Sequence, residues 1–361
     1  MKKVKSVKKW FGLTLSLVLI FGLTACGNQS SDIGSTVQAP DNTEENSEIV
    51  SGDTEEDSDS LSTDTEEKVS SDVNETSPVV YMTTNITPEG LMKVYEALEW
   101  VPEGNVAVKL STGEPPASNY LRPELIADVV EAVNGTIVEC NTAYGGSRSE
   151  TDMHYQVAED HGFTDIANFQ ILDEDGSMSL PVTGGTHLSE NFVGAAFADY
   201  DSYLILSHFK GHAMAGFGGA IKNISIGLGS SEGKSWIHTG GTKKKGFYGK
   251  QDAFLESMGE AGKAVVDALD GKIVYINVMN RLSVDCDCDG NPAEPDMHDI
   301  GILASTDPVA LDQACIDLVY AAEDSASLVK RIESKNGLHT LEYAEQIGLG
   351  SRTYELVSVD D

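Results

Sequence analysis

Short apolar runs alternate along this chain with longer segments whose apolar residues recur at helical spacing. Short apolar runs bounded by turn residues are typical of buried strands. These predicted strands are Val79–Thr83, Asn105–Leu110, Thr136–Cys140, Tyr203–Ser207, Ile273–Val278 and Ile300–Ala304. The segments with helical spacing predict helices at Pro88–Trp100, Pro123–Val133, Asp252–Leu269 and Pro308–Ala321.

Strands that alternate with helices predict an α/β fold. We expect a mainly parallel sheet with flanking helices, which could form two lobes around a shared cleft. The last predicted helix has the clearest start, since Asp307 suits the N-cap and Pro308 suits the first helical position.

Polar and reactive residues follow several predicted strands directly. Cys140 closes one strand, His208 and Lys210 follow another, and Asp285 to Cys288 come soon after a third. Ligands of parallel sheets bind at the carboxyl ends of strands, where loops and helix N-termini converge. The sequence therefore predicts one shared cleft that holds these residues.

The N-terminal 26 residues have the pattern of an export signal. Five lysines precede an apolar run, Phe11 to Leu23, that is too short to span a bilayer. The sequence Leu23-Thr24-Ala25-Cys26 resembles the lipobox of bacterial lipoproteins. We therefore expect residues 1–25 to be a signal peptide and Cys26 to be lipidated, which would place the protein on the extracytoplasmic face of the cell membrane. A chance cysteine after an ordinary secretory signal is the alternative.

The composition then divides the mature chain. Residues 27–77 contain fifteen Asp or Glu, a single Lys and no aromatic residue, which indicates that residues 26–77 form a disordered acidic linker. Residues 78–361 form the predicted α/β domain. The net charge of −34 disfavours a nucleic-acid partner, so clustered lysines need a local explanation.

Residues 207–234, SHFKGHAMAGFGGAIKNISIGLGSSEGK, combine glycines, lysines and histidines. Gly216, Gly218 and Gly219 would let the backbone approach a ligand and start a helix aimed at it, with Lys210 and Lys222 supplying positive charge. This pattern favours a site for a small anionic molecule. Tight packing of a helix on the sheet would also explain the glycines.

This segment and CDCDGNPAEPDMHDIGILASTDPVALDQAC together resemble the bacterial and archaeal domain-of-unknown-function family three-six-two. Its members are often described as uncharacterised proteins with an iron–sulfur centre, and the likeness spans roughly residues 104–320. The resemblance implies a metal ion or iron–sulfur cluster as cofactor. Where many relatives carry an insert with two C-x-x-C-x-x-C clusters, this chain has HTGGTKKKGFYGKQDAF, without cysteine.

A remoter likeness to the nickel-pincer lactate racemases rests on the spacing of His212, Lys222 and His238. It implies that Lys222 tethers a pyridinium cofactor and that His238 holds nickel. We expect His212 and Lys222 to be catalytic. Together with the glycine-rich segment, the expected cofactor-binding residues are Gly216, Gly218, Gly219, Lys222, Asn223 and His238. Where racemases have an acid/base segment with histidine, this chain has Gly145-Gly146-Ser147-Arg148, so racemase activity itself is not expected.

The stretch SVDCDCDGNPAEPDMHDIG admits four interpretations. Cys286 and Cys288 could bind a transition metal or cluster, completed by Cys140, Cys315 or His212. They could instead form a small, easily reduced disulfide ring. A calcium loop would use Asp285, Asp287, Asp289, Gly290 and Asp296. A plain turn is the fourth interpretation.

The remaining polar residues have simpler interpretations. His154 and His161 would share one helix face turned to solvent or a partner, His298 would lie at the surface, and Lys243–Lys245 would form a solvated loop. The combined pattern predicts a lipoprotein that performs redox or electron-transfer chemistry on, or recognises, a small anionic molecule. A lipoprotein that binds a ligand or metal without turnover is the alternative.

Overall fold

Twelve strands form the framework of the described part of the chain, which in this computed structural model comprises residues 77–360. The strands are β1 Val79–Thr83, β2 Val106–Lys109, β3 Thr136–Glu139, β4 Phe169–Ile171, β5 Ser177–Pro181, β6 Glu190–Gly194, β7 Ser202–His208, β8 Lys210–His212, β9 Gly216–Gly218, β10 Ile273–Met279, β11 Gly301–Ser305 and β12 Glu355–Ser358. The signal-peptide, lipidation and linker predictions for residues 1–76 lie outside the described residues.

Nine α-helices accompany these strands within residues 77–360. They are α1 Pro88–Ala97, α2 Pro123–Ala132, α3 Thr151–Asp160, α4 Ala220–Lys222, α5 Ser231–His238, α6 Gln251–Leu269, α7 Pro308–Ala321, α8 Ala326–Ser334 and α9 His339–Gln346. A π-helical turn at Asn223–Gly227 continues α4, and short 3-10 turns lie at Phe163–Asp165 and Ala195–Asp199. No helix within this range has the length and apolar character needed to cross a bilayer.

Eight strands form the central sheet in the order β12-β1-β11-β10-β7-β2-β3-β4. All neighbours from β10 to β4 pair in parallel, and β12 is parallel to β1, while β11 is antiparallel to both of its neighbours. Two small hairpins, β5-β6 and β8-β9, lie outside this sheet. The predicted α/β class with a mainly parallel sheet is confirmed, and the described residues belong to one compact unit.

Side chains of the central strands alternate between the two faces of the sheet, as strand geometry requires. Leu204 and Ile276 pack into one apolar cluster with α1 and α2. Tyr203 and Tyr275 enter a second cluster, formed with the later helices, on the other face. Strands that are buried on both faces have continuous apolar sequences, and for this reason they could be predicted from the sequence.

The helix predicted at Pro308–Ala321 begins and ends at those residues in the structure. The Asp307 carboxylate accepts hydrogen bonds from the backbone N–H groups of Val309 and Ala310 at 2.8 and 2.9 Å. Pro308 needs no such partner at its position because it lacks an N–H group. This start was predictable because both of its signals act locally.

The expectation that His154 lies on a solvent or partner face was wrong. Its side chain is fully buried at the start of α3, where its ring contacts the Thr112 hydroxyl at 2.9 Å and the Asn141 side-chain oxygen at 3.3 Å. His161 follows the helix and stacks on Tyr120. The loops after β2 and β3 cover this helix face, and the helical spacing alone did not reveal them.

Candidate functional site

The carboxyl ends of neighbouring parallel strands open into one cavity of about 330 Å³. Lys109 ends β2, Glu139 ends β3 and His208 ends β7, and all three line this cavity. The loop after β10 adds Cys286 and Cys288. The shared cleft predicted from the sequence therefore lies at the edge where a doubly wound sheet binds ligands.

The cavity lining carries more positive than negative charge, in contrast to the net charge of −34 of the chain. Five cationic side chains line it against two carboxylates, Glu139 and Asp287. The cationic residues are Lys109, Arg148, Lys210, Lys222 and Lys234. A local excess of cations at a concave surface attracts small anions, whatever the charge of the whole protein.

One side of the lining, here called the paired side, consists of Lys109, Glu139 and Arg148. The Lys109 ammonium lies 3.0 Å from the Glu139 carboxylate, and Arg148 contacts Glu139 at 3.4 Å and Glu114 at 3.0 Å. Burial alone would raise the pKa of Glu139, but attraction by Lys109 and Arg148 outweighs it and lowers the pKa to about 2. These charges neutralise one another and hold β2 and β3 together.

Other lysines of the lining are also held by oxygen atoms. Lys210 forms a 2.8 Å ion pair with Asp287 and donates a hydrogen bond to the His208 carbonyl. Lys234 donates to the Gly229 carbonyl at 2.6 Å. These contacts fix the positions of both ammonium groups.

Lys222 differs from these lysines. It ends the short helix α4 and lines the cavity, and its ammonium group has no hydrogen-bond or ion-pair partner within residues 77–360. Burial, together with repulsion from Lys210, lowers the pKa of Lys222 to about 7. A Cβ atom at Gly218 would lie 3.3 Å from the Lys222 Cδ, so the glycine leaves room for this side chain. Lys222 therefore presents an uncompensated amine to the cavity.

Two neutral imidazoles of opposite tautomer also line the cavity. The Nδ1 of His212 accepts hydrogen bonds from the backbone N–H groups of Met214 and Ala215, so the ring proton lies on Nε2. The Nδ1 of His238 lies 2.6 Å from the Lys234 carbonyl and donates to it, which leaves Nε2 with a lone pair. Burial lowers the pKa of both rings, that of His238 to about 4. The Nε2 of His212 can donate a hydrogen bond to a ligand, and the Nε2 of His238 can accept a hydrogen bond or a proton.

Cys286 and Cys288 form a disulfide that encloses only Asp287. Asp287 is buried and lies 2.8 Å from the His208 Nδ1 as well as from the Lys210 ammonium. These two contacts tie the middle of the loop to β7 and β8. The backbone N–H of Cys288 donates to the Cys286 sulfur at 3.2 Å, and Cys288 is the more exposed of the two cysteines.

The helix start predicted as an anion cradle binds a protein carboxylate instead. The backbone N–H groups of Ala220 and Ile221 donate to the Asp312 side chain at 2.7 and 3.0 Å. A Cβ at Gly219 would lie 2.2 Å from that carboxylate, and Gly216 forms a positive-φ turn away from the cavity lining. The prediction that these amides point at a ligand was therefore wrong. Lysine side chains, rather than backbone amides, supply the positive charge.

The structure brings some of the candidate metal ligands together and separates others. The potential ligand atoms of His212, Cys286 and Cys288 all lie within 4.8 Å of one another. Cys140 lines the same cavity but donates to the Leu228 carbonyl, and burial raises its pKa to about 12. Cys315 is a buried residue of α7 and accepts a hydrogen bond from the Asn277 side chain of β10. The four cysteines of the described domain do not form one cluster.

The calcium-loop interpretation fails for a similar reason. Asp287 contacts His208 and Lys210, and Asp285 pairs with Arg331 at 3.1 Å. Asp289 accepts from the Asn291 backbone, and Asp296 accepts from Ser327. These carboxylates point to different partners and leave no common place for an ion. His298 is exposed and pairs with Asp324, as its surface position predicted.

Two groups implied by the family resemblances can be tested against these side chains. A soft metal fits the Cys286 and Cys288 sulfurs only when their disulfide is reduced, because thiolates are the ligands. His238 has the tautomer of a metal ligand, whereas the Nδ1 of His212 already accepts from two amides. An iron–sulfur cluster held by four cysteines does not fit.

Other predicted site residues lie at the cavity but have different surroundings from those expected. Asn223 lines it, yet its amide donates to the Leu206 carbonyl and the Ser207 hydroxyl, which links β7 to the π-helical turn. The lysine loop 243–245 is exposed, as predicted. The sequence analysis missed Lys109 and Glu139. Their signal was a charged residue at the end of an otherwise apolar strand.

The chain is similar to one sequence family and, more distantly, to proteins of known structure. The family described as "Domain of unknown function (DUF362)" matches residues 106–317. The lactate racemase apoprotein from Thermoanaerobacterium thermosaccharolyticum is 13% identical, with a TM-score of 0.41 over 67% of this chain and 57% of that chain. A protein from Thermotoga maritima is 13% identical, with a TM-score of 0.36 over 72% of this chain and 58% of that chain. No curated protein matches the sequence.

Proposed function

The chain belongs to the DUF362 family, and on that premise we propose that it binds a small organic anion beside a redox-active cysteine pair. In this proposal the protein is an extracytoplasmic lipoprotein anchored through Cys26. The observation that carries the proposal is the lining of one cavity, which combines the unpaired Lys222 amine with the Cys286 and Cys288 sulfurs.

Anion binding follows from the charge of the cavity. Five cationic side chains face two carboxylates, and those carboxylates are already paired with Lys109, Lys210 and Arg148. The uncompensated charge therefore lies on Lys234, which is held by backbone carbonyls, and on Lys222, which has no oxygen partner among the described residues. A bound carboxylate or phosphate would neutralise it through a charge-assisted hydrogen bond. The volume of about 330 Å³ suits a small metabolite.

Redox chemistry follows from the position of the disulfide in the same lining. A thiolate of an external dithiol would attack the more exposed sulfur, that of Cys288, and the S–S bond would break. Cys286 would leave as a thiolate, stabilised by the backbone N–H of Cys288. The second thiol of the donor would then release Cys288. The cysteine pair gains two electrons and two protons, and the donor departs as a disulfide.

The proposed location agrees with this chemistry. Disulfides form and persist outside the cytoplasm, whereas cytosolic thiols are kept reduced. An exported protein would therefore carry the Cys286–Cys288 bond in its resting state. The predicted acidic linker at residues 26–77 would keep the domain away from the membrane surface, because like charges extend a disordered chain.

A second candidate function is favoured by the close approach of His212 to both sulfurs, with ligand atoms within 4.8 Å. After reduction, the cysteine pair could bind a soft metal ion without any turnover, and a neighbouring histidine could complete the site. Disulfide exchange and metal binding use the same sulfur atoms, so they cannot occur together. The oxidation state of the pair would decide between them.

The test uses the full-length protein purified in detergent and has two measurements. Alkylation after treatment with dithiothreitol should add two labels, at Cys286 and Cys288, while untreated protein should take up none at these positions. Calorimetric titration with propionate should show binding that weakens in Lys222→Met and persists in the surface variant Lys263→Met. Uptake of one equivalent of zinc by the reduced protein, without propionate binding, would favour the metal-binding alternative. Absence of propionate binding and of a reducible bond would refute the proposal.

A further inference from the structure

We propose that Lys222 captures the carbonyl carbon of a small 2-oxo acid as an imine. This inference rests on the proposed anion-binding function and names the class of anion. The observation behind it is that Lys222 is the one lysine of the lining whose amine has no oxygen partner among the described residues. An amine that is free of hydrogen bonds can approach a carbonyl carbon directly.

The other lysines provide the internal contrast. Lys109 donates to the Glu139 carboxylate and to the Leu110 carbonyl, at 3.0 and 2.6 Å. Lys210 contacts Asp287, and Lys234 donates to a backbone carbonyl. Each of these ammonium groups would have to lose a buried partner before it could act as a nucleophile. Lys222 loses none.

The electrostatic surroundings of Lys222 support a nucleophilic role. A lysine is a nucleophile only as the neutral amine, and burial beside other cations increases that fraction. The groups acting on Lys222 are Lys210, Lys109 and Lys234, which disfavour its charge, and Asp287, which favours it. With a pKa of about 7, a large fraction of the side chain is neutral under physiological conditions.

Imine formation also requires proton transfer from nitrogen to oxygen, and His238 can carry these protons while His212 holds the oxygen. The amine attacks the carbonyl carbon, a C–N bond forms, and the oxygen becomes a hydroxyl group. His238 can accept each proton released by nitrogen, because its Nε2 carries a lone pair, and as the imidazolium can return it to the oxygen. His212 can donate a hydrogen bond from Nε2 to that oxygen while it keeps its own proton. Water leaves, and a C=N bond joins Lys222 to the substrate with no change in oxidation state.

The carboxylate of the 2-oxo acid would be attracted by the cationic side chains of the lining other than Lys222. Conversion of Lys222 to an imine leaves Lys210, Lys234 and the paired side in place. A substrate with a carbonyl group but no carboxylate would gain no such attraction. We therefore expect a 2-oxo acid to react in preference to a simple ketone of similar size.

The experiment traps the imine with borohydride in the full-length protein. The intact mass is first measured as isolated, so that any existing modification of Lys222 is seen. The protein is then incubated with pyruvate, reduced, digested and mapped. We expect one adduct, at Lys222, in the wild type and in the surface variant Lys263→Arg, and at least about tenfold less in Lys222→Arg. Acetone should give at least about tenfold less adduct than pyruvate.

Lys222→Arg keeps the positive charge and removes the nucleophile, so it separates this inference from the proposed function. Binding of both propionate and pyruvate without an adduct would overturn imine formation and leave anion binding intact. Failure of the wild type to bind either carboxylate would overturn both proposals. An equal adduct yield in Lys222→Arg, or adducts spread over surface lysines, would also overturn the inference. Trapping should accelerate as pH rises through about 7, as the Lys222 ammonium loses its proton.

Discussion

Lys109 and Lys222 line the same cavity, and burial lowers the pKa of both, yet their surroundings are opposite. Lys109 belongs to the paired side, where Glu139 and Glu114 offset the charges of Lys109 and Arg148, and a backbone carbonyl also accepts from Lys109. Lys222 belongs to what we call the open side, defined by Lys222, His212, Cys286 and Cys288. No oxygen atom of the described residues contacts its amine.

This difference separates structural from chemical roles within one cavity. A buried charge with a partner stabilises the fold, and removal of the partner is costly. A buried charge without a partner is retained at a cost to stability, which is typical of residues selected for binding or reaction. Substitutions on the paired side should therefore affect mainly unfolding, and substitutions on the open side should affect mainly ligands and reagents.

The largest effect should come from acid titration next to the paired side. His154 is buried and neutral, and burial lowers its pKa to about 3, whereas an unfolded histidine titrates near 6.5. The unfolded chain therefore binds one more proton than the native chain between these values, and stability falls as pH decreases through that window. The total loss is on the order of 5 kcal/mol. Urea unfolding at a series of pH values measures it.

The variant that tests this prediction is His154→Gln. His154→Gln should reduce the change in the free energy of unfolding between about pH 6.5 and 3, because no group at that position then takes up a proton. An unaltered slope in His154→Gln would show that this histidine is already charged in the native protein.

The second effect is the loss of the Lys109 ammonium. In Lys109→Met the Glu139 carboxylate keeps Arg148 but loses its closest partner, which lies at 3.0 Å. We expect a fall of about 3 kcal/mol in the free energy of unfolding. Chemical denaturation measures this change.

The corresponding substitution on the open side, Lys222→Met, serves as the comparison for Lys109→Met. It should change the free energy of unfolding by less than about 1 kcal/mol or increase it, because it removes a partly buried charge that has no partner among the described residues. Equal destabilisation by the two variants would abolish the distinction between the two sides of the cavity.

The third effect concerns ligand binding, for which the open-side substitution should matter more than the one on the paired side. Lys222→Met should weaken propionate binding by about 2 kcal/mol, roughly thirtyfold, because a charge-assisted hydrogen bond is lost. Calorimetric titration at pH 6, where the Lys222 ammonium is largely charged, gives the dissociation constants. Wild-type affinity should fall as pH rises above about 7, while the affinity of Lys222→Met should stay constant. A constant wild-type affinity over this range would contradict a role for Lys222 in binding.

The sequence predicted the sheet far better than the site. Apolar runs and helix-start signals act over a few residues, so Val79–Thr83 and Pro308–Ala321 were located with the bounds seen in the structure. The cleft was predicted because the carboxyl ends of parallel strands meet at one edge. The carboxylate that binds the α4 amides was not predicted, because Asp312 lies about ninety residues farther along the chain. Nor could spacing show that His154 is buried.

The smallest effect should follow reduction of the disulfide. A bond that encloses only Asp287 restricts the unfolded chain very little, so its loss should cost about 1.5 kcal/mol at most. Asp287 would keep the loop in place through His208 and Lys210. Thermal unfolding with and without dithiothreitol measures this loss of stability. The control is the Cys286→Ser/Cys288→Ser variant, whose unfolding should not change with the reagent. A large loss of stability on reduction would mean that the disulfide belongs to the structural framework, and the open side would then lose its redox role.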